Sequence, residues 1–452
     1  MSLSSAKLQQ LLLQTPVYQH IKTWWLAYSG GVDSRVLLHL LAPLKLNLRV
    51  VYIDHGLQVE SAQWAEHCQN ICAQYQLPFD VISVDVKQDH SQGLEAAARV
   101  VRYQAFENLM AEDDALLTAQ HQNDQAETFL LQLFRGAGAA GLASMAVCNE
   151  FKKGWQLRPL LGFSRQQIIE FARREKLLWI EDPSNKNQRF DRNYLRHEVL
   201  PRLQQRWPSL TKTLSTAAQQ QAENFQLLTE LAKIDLEHCF EQQENDESLM
   251  MNIAQGNGLA IKYLAQLSEP RQRNCLRYWI AQQNYDLPPR HIHQQINQQV
   301  FKQRDGANII ITWSTVELRC YQGFMYILQQ VVHSADQSFN WLPTDILNIP
   351  SLDKYLMAKK NIGVGICHGL LSETLQVKFR QGGERIKLEG QKNSRSVKKL
   401  FQQLNVPPWQ RDRIPFLYYQ ENLVAVGDII ADEFIEKTEQ AWLPVFQNLI
   451  TT

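Results

Sequence analysis

The feature that most constrains this chain is a regular alternation over its first 135 residues. Four short apolar runs, WWLAY (24–28), LRVVYID (48–54), FDVISVDV (79–86) and ALLTAQ (115–120), are separated by helical patterns. Those patterns are VDSRVLLHLLA (32–42), VESAQWAEHCQNICAQY (59–75), GLEAAARVVRYQAFENLMA (93–111) and NDQAETFLLQLF (123–134). Continuous apolar runs bounded by helices read as strands buried on both faces. The alternation predicts an α/β fold with a doubly wound, Rossmann-like parallel sheet carrying helices on both faces. Ligands of such sheets sit beyond the carboxyl ends of the strands.

The remainder is less regular. RGAGAAGLASM (135–145) is a glycine-rich break, IIEFARREKLLW (168–179) reads as a helix, and 181–201 reads as polar and largely irregular. A glutamine-rich helical stretch runs from 210 to about 240, and 256–300 is mainly helical in pattern. Residues 307–330 alternate like strands, 334–353 read as a linker or edge region, and the pattern from 371 onward is mixed. The expected division is a catalytic domain over 1–212, a mainly helical middle domain over 213–335, and a small mixed α/β domain over 350–452.

With 452 residues and 44% apolar content, the chain can bury real cores and is not a disordered protein. Its seven cysteines are scattered without zinc or disulfide spacing, which suits a reducing compartment. Cys68 and Cys72, at i and i+4, read as small buried side chains. The N-terminus has no secretory-signal pattern, and no apolar run approaches the ~20 residues that cross a bilayer. The expected location is cytoplasmic, with no membrane partner.

The string AYSGGVDS (27–34) follows the first strand. Gly30 and Gly31 let the backbone approach a ligand, and the helix beginning near Val32 points its amides at the same place. Ser29 and Ser34 add hydroxyls. The arrangement is an anion site for a phosphate chain, and Asp33 is suited to holding a Mg2+ that bridges phosphates. No lysine stands where a Walker-type loop carries one.

In this setting SGGVDS resembles the ATP pyrophosphatase, or PP-loop, superfamily. The resemblance implies that the loop grips the β- and γ-phosphates of ATP as a departing pyrophosphate, which leaves the α-phosphate open for adenylation. IDHGL (53–57), GLEAAARVVRY (93–103), TAQHQNDQAET (118–128), RGAGAAGL (135–142), RPLL (158–161) and EDPSNKNQRFDRNYLRHEVLP (181–201) follow in order. Together with 379–417 and LVAVGDIIAD, they are similar to the tRNA(Ile)-lysidine synthetase family. The similarity covers most of the chain and is weakest over 215–350; it implies an ATP-binding catalytic domain over 1–212, a tRNA-contacting middle domain over 213–335 and a basic, tRNA-binding C-terminal domain over 350–452. It implies that ATP adenylates C2 of the wobble cytidine in a CAU-anticodon tRNA(Ile). Free L-lysine then displaces AMP, so the anticodon reads AUA in place of AUG.

Asp124 and Glu127 stand i, i+3 on one face at a helix start, where acids are also favoured without any function. The resemblance places both near the lysine substrate. His121 and these carboxylates are candidates to take a proton from the attacking amine. Arg99 and Arg102 share a helix face, and an arginine there neutralises charge at the α-phosphate or is simply solvated. Asp54 and His55, at a strand end, line the adenosine pocket or cap the next loop. Gln120 and Asn123 replace a His and an Asp of the family pattern. Between Lys378 and Arg413 lie ten Lys/Arg against three acids, the footprint of an RNA partner. The expected tRNA contacts are Arg189, Arg192, Arg196, Arg380, Arg385, Lys387, Arg395, Lys398 and Lys399. Trp409 is either a stacking platform or a core residue, with packing the favoured reading.

Overall fold

The computed structural model describes residues 3–56, 61–85, 94–183, 188–240, 258–302, 309–330, 336–352 and 354–448. The chain forms two compact units, Met1–Leu227 and Leu228–Thr452.

The first unit opens with α1 (Ser5–Leu13), then alternates β1 (Trp24–Ala27), α2 (Val32–Leu41), β2 (Leu48–Asp54), α3 (Ser61–Gln74), β3 (Phe79–Ser83), α4 (Leu94–Leu109), β4 (Ala115–Leu117) and α5 (Gln122–Phe134). A short α6 (Ala139–Leu142) precedes β5 (Cys148–Phe151), β6 (Gly154–Leu157) and α7 (Arg165–Arg174). The sheet order is β3-β2-β1-β4-β6-β5. All neighbours are parallel except β5, which pairs antiparallel with β6.

Successive strand residues point to opposite faces, and the core divides accordingly. Trp24, Leu26 and Tyr28 pack with Leu8 and Leu12 of α1, Val36 to Leu41 of α2, Cys68 and Cys72 of α3, and Phe171 of α7. Trp25, Val51 and Leu116 pack on the other face with Phe106 of α4 and with Met110. This is the expected doubly wound arrangement. Leu37, Leu38, Leu40 and Leu41 are fully buried, each worth roughly 1.5–3 kcal/mol, so α2 and the loop before it are fixed to the sheet.

Two local expectations are corrected. The helix read over 168–179 runs from Arg165 to Arg174. It stops where Lys176 takes φ of +52° and the Leu177 amide turns back to the Ala172 carbonyl. The segment read as irregular is helical over 191–206: α8 (Asp191–Tyr194), a π-helical turn (Leu195–Val199) and α9 (Leu200–Arg206). α10 (Leu210–Phe240) follows as one helix of 31 residues.

Within the second unit, β7 (Leu259–Ala260) leads into α11 (Ile261–Leu264), α12 (Glu269–Gln282) and α13 (Arg290–Ile296). The strand pattern read over 307–330 becomes β8 (Ile310–Trp313), β9 (Val316–Tyr321) and β10 (Phe324–Gln329), in the antiparallel order β7-β10-β9-β8. Ser338–Trp341 and Leu347–Ile349 are edge strands of two further five-stranded sheets, as an edge region requires. Trp409 is buried, with its ring 5.5 Å from Tyr326 and 6.0 Å from Tyr321. It is a packing residue joining the middle sheet to the C-terminal segment.

Candidate active site

The 29–34 loop sits where β1 ends. Gly30 has φ of +77°, and a Cβ there would lie 2.6 Å from Ile180 Cδ1 and 2.9 Å from Cys68 Sγ. Its carbonyl accepts the Ile180 amide at 2.9 Å. Only glycine satisfies both the backbone angle and the packing. Ser34 Oγ donates to the Gly31 carbonyl (3.0 Å) and accepts the Ser29 amide (3.3 Å). Gly31 is the N-cap of α2 and no side chain caps the helix, so its first-turn amides are presented without an internal side-chain acceptor.

Asp33, in that first turn, faces α5 and α7. Its Oδ1 lies 3.5 Å from His121 Nε2 and its Oδ2 lies 3.6 Å from Arg165 Nη1. Burial, reinforced by nearby Asp124, pushes its carboxyl above the usual range, while His121, Arg165 and Arg196 oppose that rise. Oδ1 is shut from solvent and accepts no hydrogen bond.

His121 caps α5. The Asp124 amide donates to His121 Nδ1 (3.3 Å), and the His121 amide donates to Asp124 Oδ2 (2.9 Å), a reciprocal capping box. Fixing Nδ1 as an acceptor puts the ring proton on Nε2, toward Asp33. Glu127, one turn on, is 1% exposed. It accepts Arg192 Nε at 3.0 Å, Arg196 Nε at 2.7 Å and Arg196 Nη2 at 2.9 Å. Arg196 Nη2 also donates to Asp124 Oδ1 at 3.1 Å. Thus the two carboxylates expected to hold an ammonium already hold two arginines, and those arginines had been expected to reach RNA. The helix over 191–206 places Arg192 and Arg196 four residues apart on the face toward α5. Arg189 lies just before that helix and is exposed.

A second group gathers at the ends of β2, β4 and β6. Arg102 Nε donates to His55 Nε2 at 3.1 Å, and Asp54 Oδ1 accepts the Gly56 amide at 2.9 Å. Burial and then Arg102 depress His55 to about 4. Arg99 donates to the Tyr103 hydroxyl at 3.2 Å, as does Gln156 at 3.1 Å. Gln156 in turn accepts from buried Arg158 at 2.6 Å.

Sequence reasoning missed Arg165 and the Arg158–Gln156–Tyr103 chain. Arg165 carries no motif signal beyond its place at a helix start after a strand. Asn123 satisfies the first amide of the neighbouring helix α7: its Oδ1 accepts the Arg165 amide at 3.0 Å. Gln120 Oε1 is buried without a partner. In the basic C-terminal segment, Arg380 pairs with Asp412 (3.2 Å) and Lys387 with Asp432 (2.8 Å). Arg385 binds Ser394, and Arg395 binds Gln391 and Gln403. Lys398 and Lys399 are exposed.

Residues 2–203 match the PP-loop domain, 259–326 the TilS substrate binding domain, and 375–445 the TilS substrate C-terminal domain. A tRNA(Ile)-lysidine synthase of Coxiella burnetii is 39% identical across 92% of this chain and 91% of its own length. The chain belongs to the tRNA(Ile)-lysidine synthase family. A Pectobacterium atrosepticum synthase is 40% identical across 90% of each chain. A solved U34-tRNA thiolase from Methanococcus maripaludis covers 48% of this chain and 78% of its own, with 14% identity and a TM-score of 0.40.

As a member of the lysidine synthase family, the chain is a PP-loop, ATP-using ligase that modifies tRNA, with ATP as a substrate. Both residue groups described above fall inside the PP-loop match. Among the described residues, no helix is long and apolar enough to cross a membrane.

Proposed function

We propose that this chain joins free L-lysine to C2 of the wobble cytidine in CAU-anticodon tRNA(Ile), through an adenylated cytidine. The observation that carries the reading is the lysine-free phosphate loop, held against the Asp33–His121–Asp124 and Glu127–Arg192–Arg196 cluster in a chain of this family.

In the first step the cytidine C2 oxygen attacks the α-phosphorus of ATP and pyrophosphate leaves. Ser29, Gly30, Gly31, Val32 and Ser34 hold the departing phosphates, and Arg165 stands beside them through Asp33. Arg99 and Arg102, in the group at the strand ends, neutralise charge at the α-phosphate. Asp54 and His55 line the adenosine side. In the second step the lysine ε-amine, having lost its proton, attacks C2, and AMP leaves with the C2 oxygen.

The orphaned, buried Oδ1 of Asp33 suits a hard cation. Mg2+ held there by Asp33 would supply charge neutralisation to the phosphate chain.

Asp124 and Glu127 form the ammonium end of the lysine site. Asp124 is the more exposed of the two side chains, 14% against 1%. It meets the ammonium directly, while Glu127 holds Arg192 and Arg196 around it. His121 keeps Asp33 oriented through Nε2. A carboxylate of this cluster therefore takes the amine proton more readily than the ring, whose acceptor nitrogen is already engaged. Arg189, Lys398 and Lys399, with the basic C-terminal segment, contact the tRNA backbone.

The test is direct. Purified protein is mixed with ATP, magnesium, labelled lysine and unmodified tRNA(Ile) bearing CAU. Label entering tRNA, matched by AMP and pyrophosphate, is the expected result. Modification that depends on a sulfur donor instead of lysine would overturn the reading. Cys68 and Cys72, buried and pushed up to about 12 by that burial, are poorly suited to such sulfur chemistry.

A further inference from the structure

We propose that Tyr103 on α4 is a positioning residue for the adenylation step: its hydroxyl and ring hold the Arg99 guanidinium toward the α-phosphate of ATP. The inference rests on the reading above, in which Arg99 meets that phosphate, and gives a role to a side chain that reading leaves unused.

Arg99 is exposed and stands four residues before Tyr103, so the two share one face of α4. A long exposed side chain samples many rotamers, and that freedom must be lost before it can serve one phosphate. Tyr103 restricts it in two ways. The hydroxyl accepts Arg99 Nη2 at 3.2 Å. The ring centroid lies 4.7 Å from the guanidinium carbon, a cation–π contact. Arg99 pairs with no carboxylate among the described residues, so its other donors stay open to a ligand.

Tyr103 is itself held from behind. Its ring meets Phe106 at 6.1 Å and Phe151 at 5.7 Å, both edge-on. Its hydroxyl accepts Gln156 Nε2 at 3.1 Å. The Gln156 amide can face only one way, because its Oε1 accepts Arg158 Nη2 at 2.6 Å and its Nε2 also donates to Thr118 Oγ1 at 3.3 Å. Arg158, 7% exposed, is anchored in turn on the Ala146 carbonyl (2.7 Å) and Asn149 Oδ1 (2.6 Å). The chain Arg158–Gln156–Tyr103–Arg99 therefore runs from a buried strand end to an exposed guanidinium. Burial works to raise the Tyr103 phenol, but Arg99, the Gln156 hydrogen bond and Arg158 outweigh it and hold it below its ordinary value. Its surroundings favour negative charge on the oxygen, which strengthens its grip on Arg99. Packing alone asks only for a ring here, since a phenylalanine would meet Phe106 and Phe151 equally well. The hydroxyl is explained by what it aims.

The experiment uses the full chain, ATP labelled at the α-phosphate and unmodified tRNA(Ile) bearing CAU, without lysine, so that only adenylation of the tRNA is read. Wild type, Tyr103→Phe, Arg99→Gln and the double variant are compared in single turnovers. Tyr103→Phe is expected to slow adenylation about tenfold, with the half-saturating ATP concentration and the thermal midpoint close to wild type. In the Arg99→Gln background the same change is expected to add nothing, because the hydroxyl then has no guanidinium to hold. Unchanged adenylation in Tyr103→Phe overturns the proposal, whether or not the thermal midpoint falls. Equal fractional slowing in both backgrounds also overturns it, because Tyr103 would then act other than through Arg99. If the wild type itself adenylates no tRNA, the functional reading fails instead, and the two failures are distinct.

Discussion

His121 Nε2 lies 3.5 Å from Asp33 Oδ1, so the cap of α5 and the first turn of the phosphate-loop helix meet at one carboxylate. That carboxylate is buried and held above its usual proton affinity. Its ionised form is therefore disfavoured by its surroundings. Asp33→Asn should cut AMP formation by at least about 100-fold. The thermal midpoint should stay level or rise, since a costly buried charge is removed. Normal turnover in this variant would release Asp33 from any role with metal or phosphate.

Gly30 and Gly31 should separate cleanly. Gly30→Ala meets Ile180 and Cys68 at under 3.0 Å and carries a positive φ, so it should lose about 1–3 kcal/mol of stability. Gly31→Ala meets only Ser29 Oγ at 3.5 Å. It should fold like the wild type and raise the KM for ATP by obstructing the ligand's approach. Urea midpoints and ATP titrations of the two proteins check both expectations.

Glu127 holds two guanidiniums while almost wholly buried. Removing one partner leaves buried charge uncompensated, at about 3–5 kcal/mol. Glu127→Ala and Arg196→Ala should each destabilise the fold by about 3 kcal/mol. The double variant should lose at least about 1 kcal/mol less than the sum. Additive losses would mean that the pair is not coupled. By contrast, Asp124→Asn should raise the lysine requirement more than the ATP requirement, and equal effects would argue against its place at the ammonium.

His55 is depressed to about 4, while an unfolded histidine titrates near 6.5. Between those values the unfolded chain binds the extra proton, so stability rises with pH. The contribution is fully present above about 6.5 and is lost as pH falls toward 4. His55→Gln should flatten that part of the profile of thermal midpoint against pH. An unchanged slope would show that Arg102 and burial do not act on the ring.

The parallel sheet was legible because its strands are apolar on both faces, and Cys68, Cys72 and Trp409 were legible as packing residues. The helix over 191–206 was not. Its sequence, DRNYLRHEVLPRLQQR, is polar, and its π turn breaks the 3.6-residue period. Its order depends on Glu127, more than sixty positions away in the chain. Charge gave the sign of Arg192 and Arg196 but not their partner, because an arginine that serves a buried acid and one that serves RNA look alike in one dimension. Arg165 was hidden for the same reason: its neighbour Asp33 is close only in the folded chain.

The wide turn at Leu195–Val199, closed by the Leu200 amide on the Leu195 carbonyl, has a consequence for how this segment can vary. The two guanidiniums reach α5 because a fixed number of residues winds between them. A point substitution at an outward-facing position leaves that winding intact. A single deletion there would swing everything after it by about 100° around the axis, carrying Arg196 away from its acid. Drift in this stretch is therefore tolerated in spelling and forbidden in length.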